Sequence, residues 1–304
     1  MDIKQLRFLI ALAREQHFGR AAERCFVSQP TLSARIRQLE QELGVLIAER
    51  DQHGFHGFTT EGERVLHWAQ RIVADCDAMK QDVSTMHDEL SGNLSMGVVP
   101  SALHLVPLIT APFRNKYARV SFRIQSTNSN EIQRGLDDFE LEAGLTYLDN
   151  EPLLNVRRLP LYQERYVLLT GDPALRDHPM TWTGASALPL CLLTPDMQNR
   201  RIIDGVFRQV HCDPIPEVET NSIINLYAQV RLGKLSTVLP ESFLEVVGTP
   251  KGVFALPLTE PDIAHTVGLV AADRNPPSPM AQALFDIGED LDSQVFTGPY
   301  SVRR

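Results

Sequence analysis

Side chains that form hydrogen bonds with bases and phosphates are concentrated near the start of the 304-residue chain. The candidate DNA-contacting residues here are Gln29, Ser33, Arg35 and Arg37. A glutamine pairs with adenine through two hydrogen bonds, serine reaches a base or a phosphate, and arginine suits phosphate or guanine. The chemistry that this stretch predicts is recognition of base edges in duplex DNA.

Three short helices are the elements that must hold these side chains in place. Apolar residues recur at helical spacing over residues 3–15, a second helix is expected around residues 20–24, and a third over residues 31–43. Ser28 is expected to cap the third helix and Gly44 to end it. Two short helices joined by a tight turn predict a helix-turn-helix, whose second helix presents its first residues to the major groove. A plain three-helix bundle with a solvated polar face fits the same pattern and stays open at this point.

The first 65 residues resemble the N-terminal signature of LysR-type transcriptional regulators. The matching segments are residues 21–23, 27–33, 36–40 and 42–45, together with Arg50. The resemblance implies an all-α winged helix-turn-helix over residues 1–60, with a wing at about residues 51–60. It also implies that Gln29, Pro30, Thr31, Ser33 and Arg50 lie at the DNA, with Arg35 nearby.

A heptad pattern follows over residues 61–91. Small or apolar residues alternate at spacings of three and four, at Val65, Ala69, Ile72, Cys76, Met79, Val83, Met86 and Leu90. This pattern predicts a long linker helix that pairs with the same helix of a second copy. The resemblance likewise implies dimerisation here. The expected assembly is a homodimer or homotetramer on a near-palindromic promoter site in double-stranded DNA.

Residues 92–304 alternate between strand-like and helix-like stretches, the pattern of an α/β domain. The predicted strands lie near residues 94–99, 120–126, 143–147, 166–170, 190–193, 216–220, 235–239 and 264–271. The predicted helices lie near residues 102–114, 129–138, 199–209, 222–232 and 279–291. A crossing is expected near residues 159–166.

This organisation predicts two lobes, lobe I over residues 92–161 and 268–304 and lobe II over residues 162–267. Ligands of such folds bind between the lobes, at the carboxyl ends of the strands. The resemblance implies the same architecture, a periplasmic-binding-protein-like effector domain joined to the DNA-binding domain by the linker helix.

Hydroxyl and amide side chains follow several predicted strands of this effector domain. The candidate effector-binding residues are Ser101, Asn128, Ser129, Thr194, Gln198 and Asn221. They precede or begin predicted helices, and helix starts favour anions. The sequence therefore predicts a small anionic or carboxylate co-inducer. Ordinary helix capping by the same residue types remains an alternative for each of them.

Composition and charge limit the classes of function that we expect for this chain. The net charge is −9, but residues 1–60 hold eight basic and seven acidic residues, so basic groups gathered on one face must supply any DNA affinity. No metal-ligand cluster, nucleophile elbow or glycine-rich phosphate loop is visible, so neither an enzyme nor a cofactor or metal protein is expected. Without a membrane-length apolar run or a signal peptide, a cytoplasmic protein is expected.

Two other functions remain open. A thiol-based redox sensor would use Cys191 and Cys212, although Cys191 lies in an apolar run that predicts a buried thiol. A small-molecule-binding protein without a regulatory role would explain the two lobes but not the helix-turn-helix.

Overall fold

The computed structural model describes residues 1–51, 54–85, 90–176 and 178–294 of the chain. The chain divides into two compact units, Met1–Asp88 and Glu89–Arg304. Among the described residues, no helix combines the length and the apolar character that spanning a membrane requires.

Capping residues define the helices of the first unit. Its elements are α1 (Ile3–Glu15), α2 (Phe18–Arg24), α3 (Gln29–Leu43), β1 (Ala48–Asp51), β2 (Gly54–Phe58) and α4 (Thr60–Thr85). The Ser28 side chain accepts a hydrogen bond from the Thr31 N–H, and Gly44 ends α3 with a φ of 71°. Both predictions are confirmed. Helix α3 begins two residues before the predicted start because Pro30 fits the first turn of a helix.

The core of the first unit lies between α1, α2 and α3. Leucine and isoleucine side chains at helical spacing fill it, namely Leu6, Leu9, Leu12, Leu32, Ile36 and Leu39. Strands β1 and β2 pair antiparallel and form the expected wing beside this core. The observed architecture is therefore a winged helix-turn-helix, and the plain three-helix bundle is excluded.

The residues of the predicted heptad pattern, which we call the seam, lie in two different environments on α4. Ala69 is buried in the core of the first unit, and Val65 and Ile72 pack against it. Met79 and Val83 are instead 61% and 55% exposed. The prediction that all these residues face a second copy is wrong for Ala69, because α4 packs on α1 of its own unit.

Leu90 belongs to the hydrophobic core of the second unit, so its assignment to the seam is wrong. Met86 lies outside the described residues.

Eleven strands and seven α-helices of the described residues build the second unit. The strands are β3 (Gly92–Val98), β4 (Val120–Ser126), β5 (Ala143–Tyr147), β6 (Val156–Glu164), β7 (Tyr166–Thr170), β8 (Met180–Thr181), β9 (Cys191–Leu193), β10 (Val218–Thr220), β11 (Thr237–Pro240), β12 (Phe254–Thr259) and β13 (His265–Ala272). The helices are α5 (Val106–Lys116), α6 (Ser129–Asp137), α7 (Trp182–Ser186), α8 (Gln198–Gln209), α9 (Ile223–Leu232), α10 (Glu241–Val247) and α11 (Pro279–Gln294). A 3-10 helix, Pro100–Leu105, precedes α5.

These strands form two lobes. Lobe I is a five-stranded sheet in the order β4-β3-β5-β13-β6. Lobe II has a four-stranded sheet in the order β11-β7-β12-β8 and the parallel pair β10-β9. The chain passes from lobe I to lobe II between β6 and β7 and returns between β12 and β13. This is the bilobal α/β architecture that the alternating pattern predicts.

The chain crosses from lobe I at Arg165, inside the predicted range of residues 159–166, but the prediction lacks the strand before the crossing. Residues 156–164 are strand β6, which pairs along its length with β13, so the chain leaves the sheet of lobe I only after Glu164. The prediction also lacks α7, α10, β8 and β12. Strand β12 carries Pro257 and β8 has two residues, so neither presents the apolar alternation that identifies a strand.

Candidate nucleic-acid interface and candidate effector cleft

The first turn of α3 presents polar side chains to solvent. Gln29, Pro30 and Thr31 are exposed, and Ser33 is half-buried. The Ser28 and Thr31 hydroxyls lie 2.8 Å apart, which holds the capping hydroxyl in place at the start of the helix. A helix that begins in this way can insert its first turn into the major groove while its apolar side stays in the core.

The two arginines of α3 are also exposed. The Arg35 guanidinium donates to Gln38 Oε1 at 3.1 Å, and Asp2 lies 4.0 Å from it. Arg37 adds a second positive charge to the same helix. These charges suit phosphate contacts, which orient a protein on duplex DNA without reading its sequence.

Arg50 differs from the other candidates because its guanidinium faces protein. It pairs with the carboxylate of Glu40, which is 9% exposed. The same carboxylate accepts hydrogen bonds from the backbone N–H groups of Ile47 and Ala48, each at 3.1 Å. The Arg50 guanidinium also lies 5.6 Å from the centre of the Phe18 ring. Arg50 therefore ties the wing to α2 and α3, and DNA contact by this residue stays a prediction.

A buried polar cluster joins the two lobes of the second unit. The Ser101 hydroxyl lies 2.9 Å from the Tyr147 hydroxyl at the end of β5. Asn199, on α8 of lobe II, donates to the same Tyr147 oxygen at 2.9 Å. Tyr147 in turn donates to Glu164, which also accepts from Tyr162 at 2.9 Å. Ser101 is thus fully buried and is linked to lobe II through Tyr147.

Burial dominates the electrostatics of this cluster. Glu164 is 1% exposed. Burial raises the pKa of its carboxyl to about 7, against the opposing effect of the tyrosine hydrogen bonds. Burial and the nearby Glu164 charge raise the pKa of Tyr147 well above its usual value. The tyrosine therefore stays protonated and acts as a donor to the carboxylate.

Gln198 also bridges the lobes. Its Oε1 accepts from the Thr146 hydroxyl at 3.1 Å, and its side-chain nitrogen donates to the Asn150 carbonyl. Asn128 caps α6 by accepting from the Glu131 N–H at 2.9 Å. It also donates to Asp196 of lobe II at 3.5 Å. For Asn128 the capping alternative and the cleft position therefore hold together.

Thr194 and Asn221 take no part in these bridges. Thr194 follows β9, and its hydroxyl oxygen is buried without a hydrogen-bond partner among the described residues. Asn221 is exposed, and the cap of α9 is the neighbouring Ser222. The structure accordingly brings Asn128, Ser129 and Gln198 to hydrogen bonds between the lobes and links Ser101 to lobe II through Tyr147.

Arg201 supplies further contacts between the lobes, and the sequence patterns did not single it out. Its Nε lies 2.9 and 3.0 Å from the two carboxylate oxygens of Glu151, and its Nη2 lies 2.5 Å from one of them. Nη2 also donates to the Ser129 hydroxyl at 3.3 Å. Arg201 belongs to lobe II, whereas Glu151 and Ser129 belong to lobe I. The signal was missed because the partners are 50 and 72 residues away in the sequence.

The two cysteines of the redox alternative lie in different environments. Cys191 is buried on β9, and burial raises the pKa of its thiol to about 11. Cys212 is half-buried and packs against a different hydrophobic cluster. Because the thiolate is the reactive form, burial makes Cys191 a poor nucleophile at neutral pH.

Comparison with known families divides the chain in the same way. Residues 3–63 match the family described as bacterial regulatory helix-turn-helix protein, lysR family. Residues 87–291 match the family described as LysR substrate binding domain. Together the two matches span both units.

Individual relatives match over nearly the full length. The chain is 27% identical to the DNA-binding transcriptional dual regulator OxyR of Escherichia coli (strain K12), covering 97% of this chain and 96% of that protein. A full-length OxyR variant from Pseudomonas aeruginosa is similar in structure, with a TM-score of 0.76, 26% identity and 95% of each chain covered. CbnR in complex with its target DNA has a TM-score of 0.67 at 17% identity, covering 95% of this chain and 99% of that one, which supports the fold.

Proposed function

The chain belongs to the LysR family of DNA-binding transcriptional regulators, and we propose that a small anion or carboxylate bound between its two lobes controls how it engages DNA. The family consists of regulators, so we propose no catalytic role and no cofactor beyond this co-inducer. We also propose that the protein acts in the cytoplasm, where its DNA target is accessible.

The proposed DNA interface is the first turn of α3. Gln29, Pro30, Thr31 and Ser33 reach base edges, and Arg35 and Arg37 contact phosphates. The exposure of these side chains at the start of a capped helix supports this assignment. Arg50 is assigned to the same interface through the wing, which its pair with Glu40 positions.

The proposed effector site is the cleft between the lobes. The six residues assigned to it are Ser101, Asn128, Ser129, Thr194, Gln198 and Asn221. The observation that carries the proposal is that three of them, Asn128, Ser129 and Gln198, form hydrogen bonds between the two lobes. Ser101 contacts Tyr147, which accepts a hydrogen bond from Asn199 of lobe II. A ligand in this cleft has to replace such contacts, and it therefore favours one lobe arrangement over another.

The test of DNA recognition uses two glutamines of α3. In a gel shift with the DNA upstream of its own coding region, Gln29→Ala should weaken specific binding by about 1–3 kcal/mol, the value of one bidentate base contact. Gln41→Ala, at an exposed position farther along the same helix, should bind as the wild type does. Equal losses in both variants, or in neither, would exclude Gln29 from base recognition.

A peroxide-responsive role is a second candidate because several relatives are named hydrogen peroxide-inducible genes activators, among them one of Dickeya chrysanthemi at 28% identity over 91% of this chain. The raised pKa of Cys191 disfavours a thiol mechanism at that residue. Counting free thiols before and after peroxide treatment tests the idea. An unchanged count excludes a disulfide between Cys191 and Cys212.

A further inference from the structure

The Arg201 guanidinium is held in an orientation that suits the binding of a carboxylate. Its Nη1 donates to the backbone carbonyls of Pro195 and Asp196, at 3.1 and 2.7 Å. These two bonds fix the plane of the group and leave the Nε and Nη2 edge facing lobe I. Two parallel donors on one edge match the two oxygens of a carboxylate, which is the preferred geometry for arginine.

The carboxylate on that edge belongs to the protein itself. Glu151 lies in the segment between β5 and β6, adopts a φ of 52° and has a side chain that is 46% exposed. An ion pair this exposed stabilises a protein little, because water and salt screen it. Glu151 is therefore a partner that another carboxylate can replace at small cost.

Ser129 completes the arrangement. Ser129 is 2% exposed, and its hydroxyl accepts a hydrogen bond from the Arg201 Nη2 that also contacts Glu151. Ser129 is also the first residue of α6, whose N-terminal end favours negative charge. The Arg201 Nη2 group is thus shared between the Glu151 carboxylate and the Ser129 hydroxyl at the start of α6.

We infer that Arg201 and Ser129 form a carboxylate subsite of the effector cleft, that Glu151 fills this subsite in the free protein, and that a carboxylate effector binds by displacing Glu151. This inference rests on the proposed function and names the anchoring residue and its internal competitor. On displacement, the ligand replaces the ion pair between Arg201 and Glu151, so this part of the contact between the lobes comes to depend on the effector.

Neighbouring carboxylates restrict the charge that the ligand can carry. Asp196 accepts from Asn128, and Glu131 accepts from Thr127, both at this end of the cleft. Their negative charges oppose a second charge on the ligand. The subsite therefore favours a monocarboxylate over inorganic phosphate.

The experiment compares Glu151→Gln, Arg201→Gln and the control Arg208→Gln, an exposed arginine of the same helix. Affinities for acetate and benzoate are measured on the full chain by calorimetry and thermal shift, with acetamide, benzamide and inorganic phosphate as comparison ligands. Glu151→Gln should bind benzoate about three- to tenfold more tightly than the wild type, because removing a competitor raises the fraction of open sites. Arg201→Gln should lose carboxylate binding, and Arg208→Gln should keep it. The amides should not bind.

The outcomes separate the inference from the function. If Glu151→Gln binds carboxylates no more tightly than the wild type, the inference is wrong. Carboxylate binding that survives in Arg201→Gln places the effector elsewhere and leaves the proposed function standing. If neither the wild type nor any variant binds any of these anions, both the inference and the proposal of an anionic effector are wrong. Should Arg201→Gln fail to fold, Arg201→Lys keeps the charge without the paired donors and should show the same loss.

Discussion

Glu164 ends the last strand of lobe I before the chain crosses to lobe II, and its carboxyl is fully enclosed there. Burial raises its pKa from 4.5 to about 7. At pH values between 4.5 and 7, the Glu164 carboxyl is protonated in the folded chain and deprotonated in the unfolded chain. The free energy of unfolding therefore falls as the pH rises through this window, and it levels off above about pH 7.

The residue-scale prediction is that Glu164→Gln removes this pH dependence. Each pKa unit corresponds to about 1.4 kcal/mol, so the wild type should lose up to about 3 kcal/mol of stability between pH 4.5 and 7. Urea unfolding of both proteins across this range measures the difference in slope. Glu289→Gln, at an exposed position on α11, serves as the control and should follow the wild type. Parallel curves for Glu164→Gln and the wild type would show that Glu164 does not take up this proton.

At the scale of elements, the wing depends on a single buried carboxylate. Glu40 of α3 holds the two backbone N–H groups at the start of β1 and the guanidinium of Arg50. Removing Arg50 leaves a buried carboxylate without its counter-charge. We expect Arg50→Ala to destabilise the first unit by about 3 kcal/mol, as is typical when one partner of a buried pair is removed.

The exposed Arg37 provides the matched control for Arg50. Arg37→Ala should leave the melting temperature unchanged and reduce the salt dependence of DNA binding by about one phosphate contact. Circular dichroism melting and salt-titrated gel shifts separate the two effects. An Arg50→Ala variant that melts with the wild type would assign Arg50 to the DNA alone.

The distal half of α4 is the second element with a testable surface. Met79 and Val83 are each more than half exposed and lie four residues apart on the helix, so they form an apolar surface there. If these side chains pair two copies, Met79→Glu combined with Val83→Glu should shift the protein towards a monomer in sedimentation velocity. Lys80→Glu adds negative charge to the same helix and should leave the assembly intact. A wild-type sedimentation profile for the double variant would place the dimer contact elsewhere.

The elements that the sequence predicted well are those with local signals. Ser28, Pro30 and Gly44 define α3 through contacts within a few residues, and the structure confirms Ser28 and Gly44 as its caps. Strand β12 was missed because Pro257 obscures it, and β6 because its pairing with β13 joins residues about a hundred positions apart. Separation in the sequence also explains why the contacts in the cleft were not predicted. Hydroxyls at strand ends were visible in the sequence, whereas the partners of Arg201 and Tyr147 depend on how the lobes meet.

For the whole molecule, the proposed function requires that effector binding and DNA binding influence each other. Allosteric coupling is reciprocal, so a ligand that changes DNA affinity by some factor must itself bind with an affinity changed by the same factor when DNA is present. Typical couplings change affinities about 5- to 150-fold.

The measurement is the Kd of a carboxylate ligand with and without a saturating operator fragment. The Gln29→Ala variant is the control, because weaker engagement of DNA should reduce the shift without altering binding to the free protein. Identical ligand affinity in the two states would mean that the lobes and the helix-turn-helix act independently, since a ligand with equal affinity for both states shifts neither.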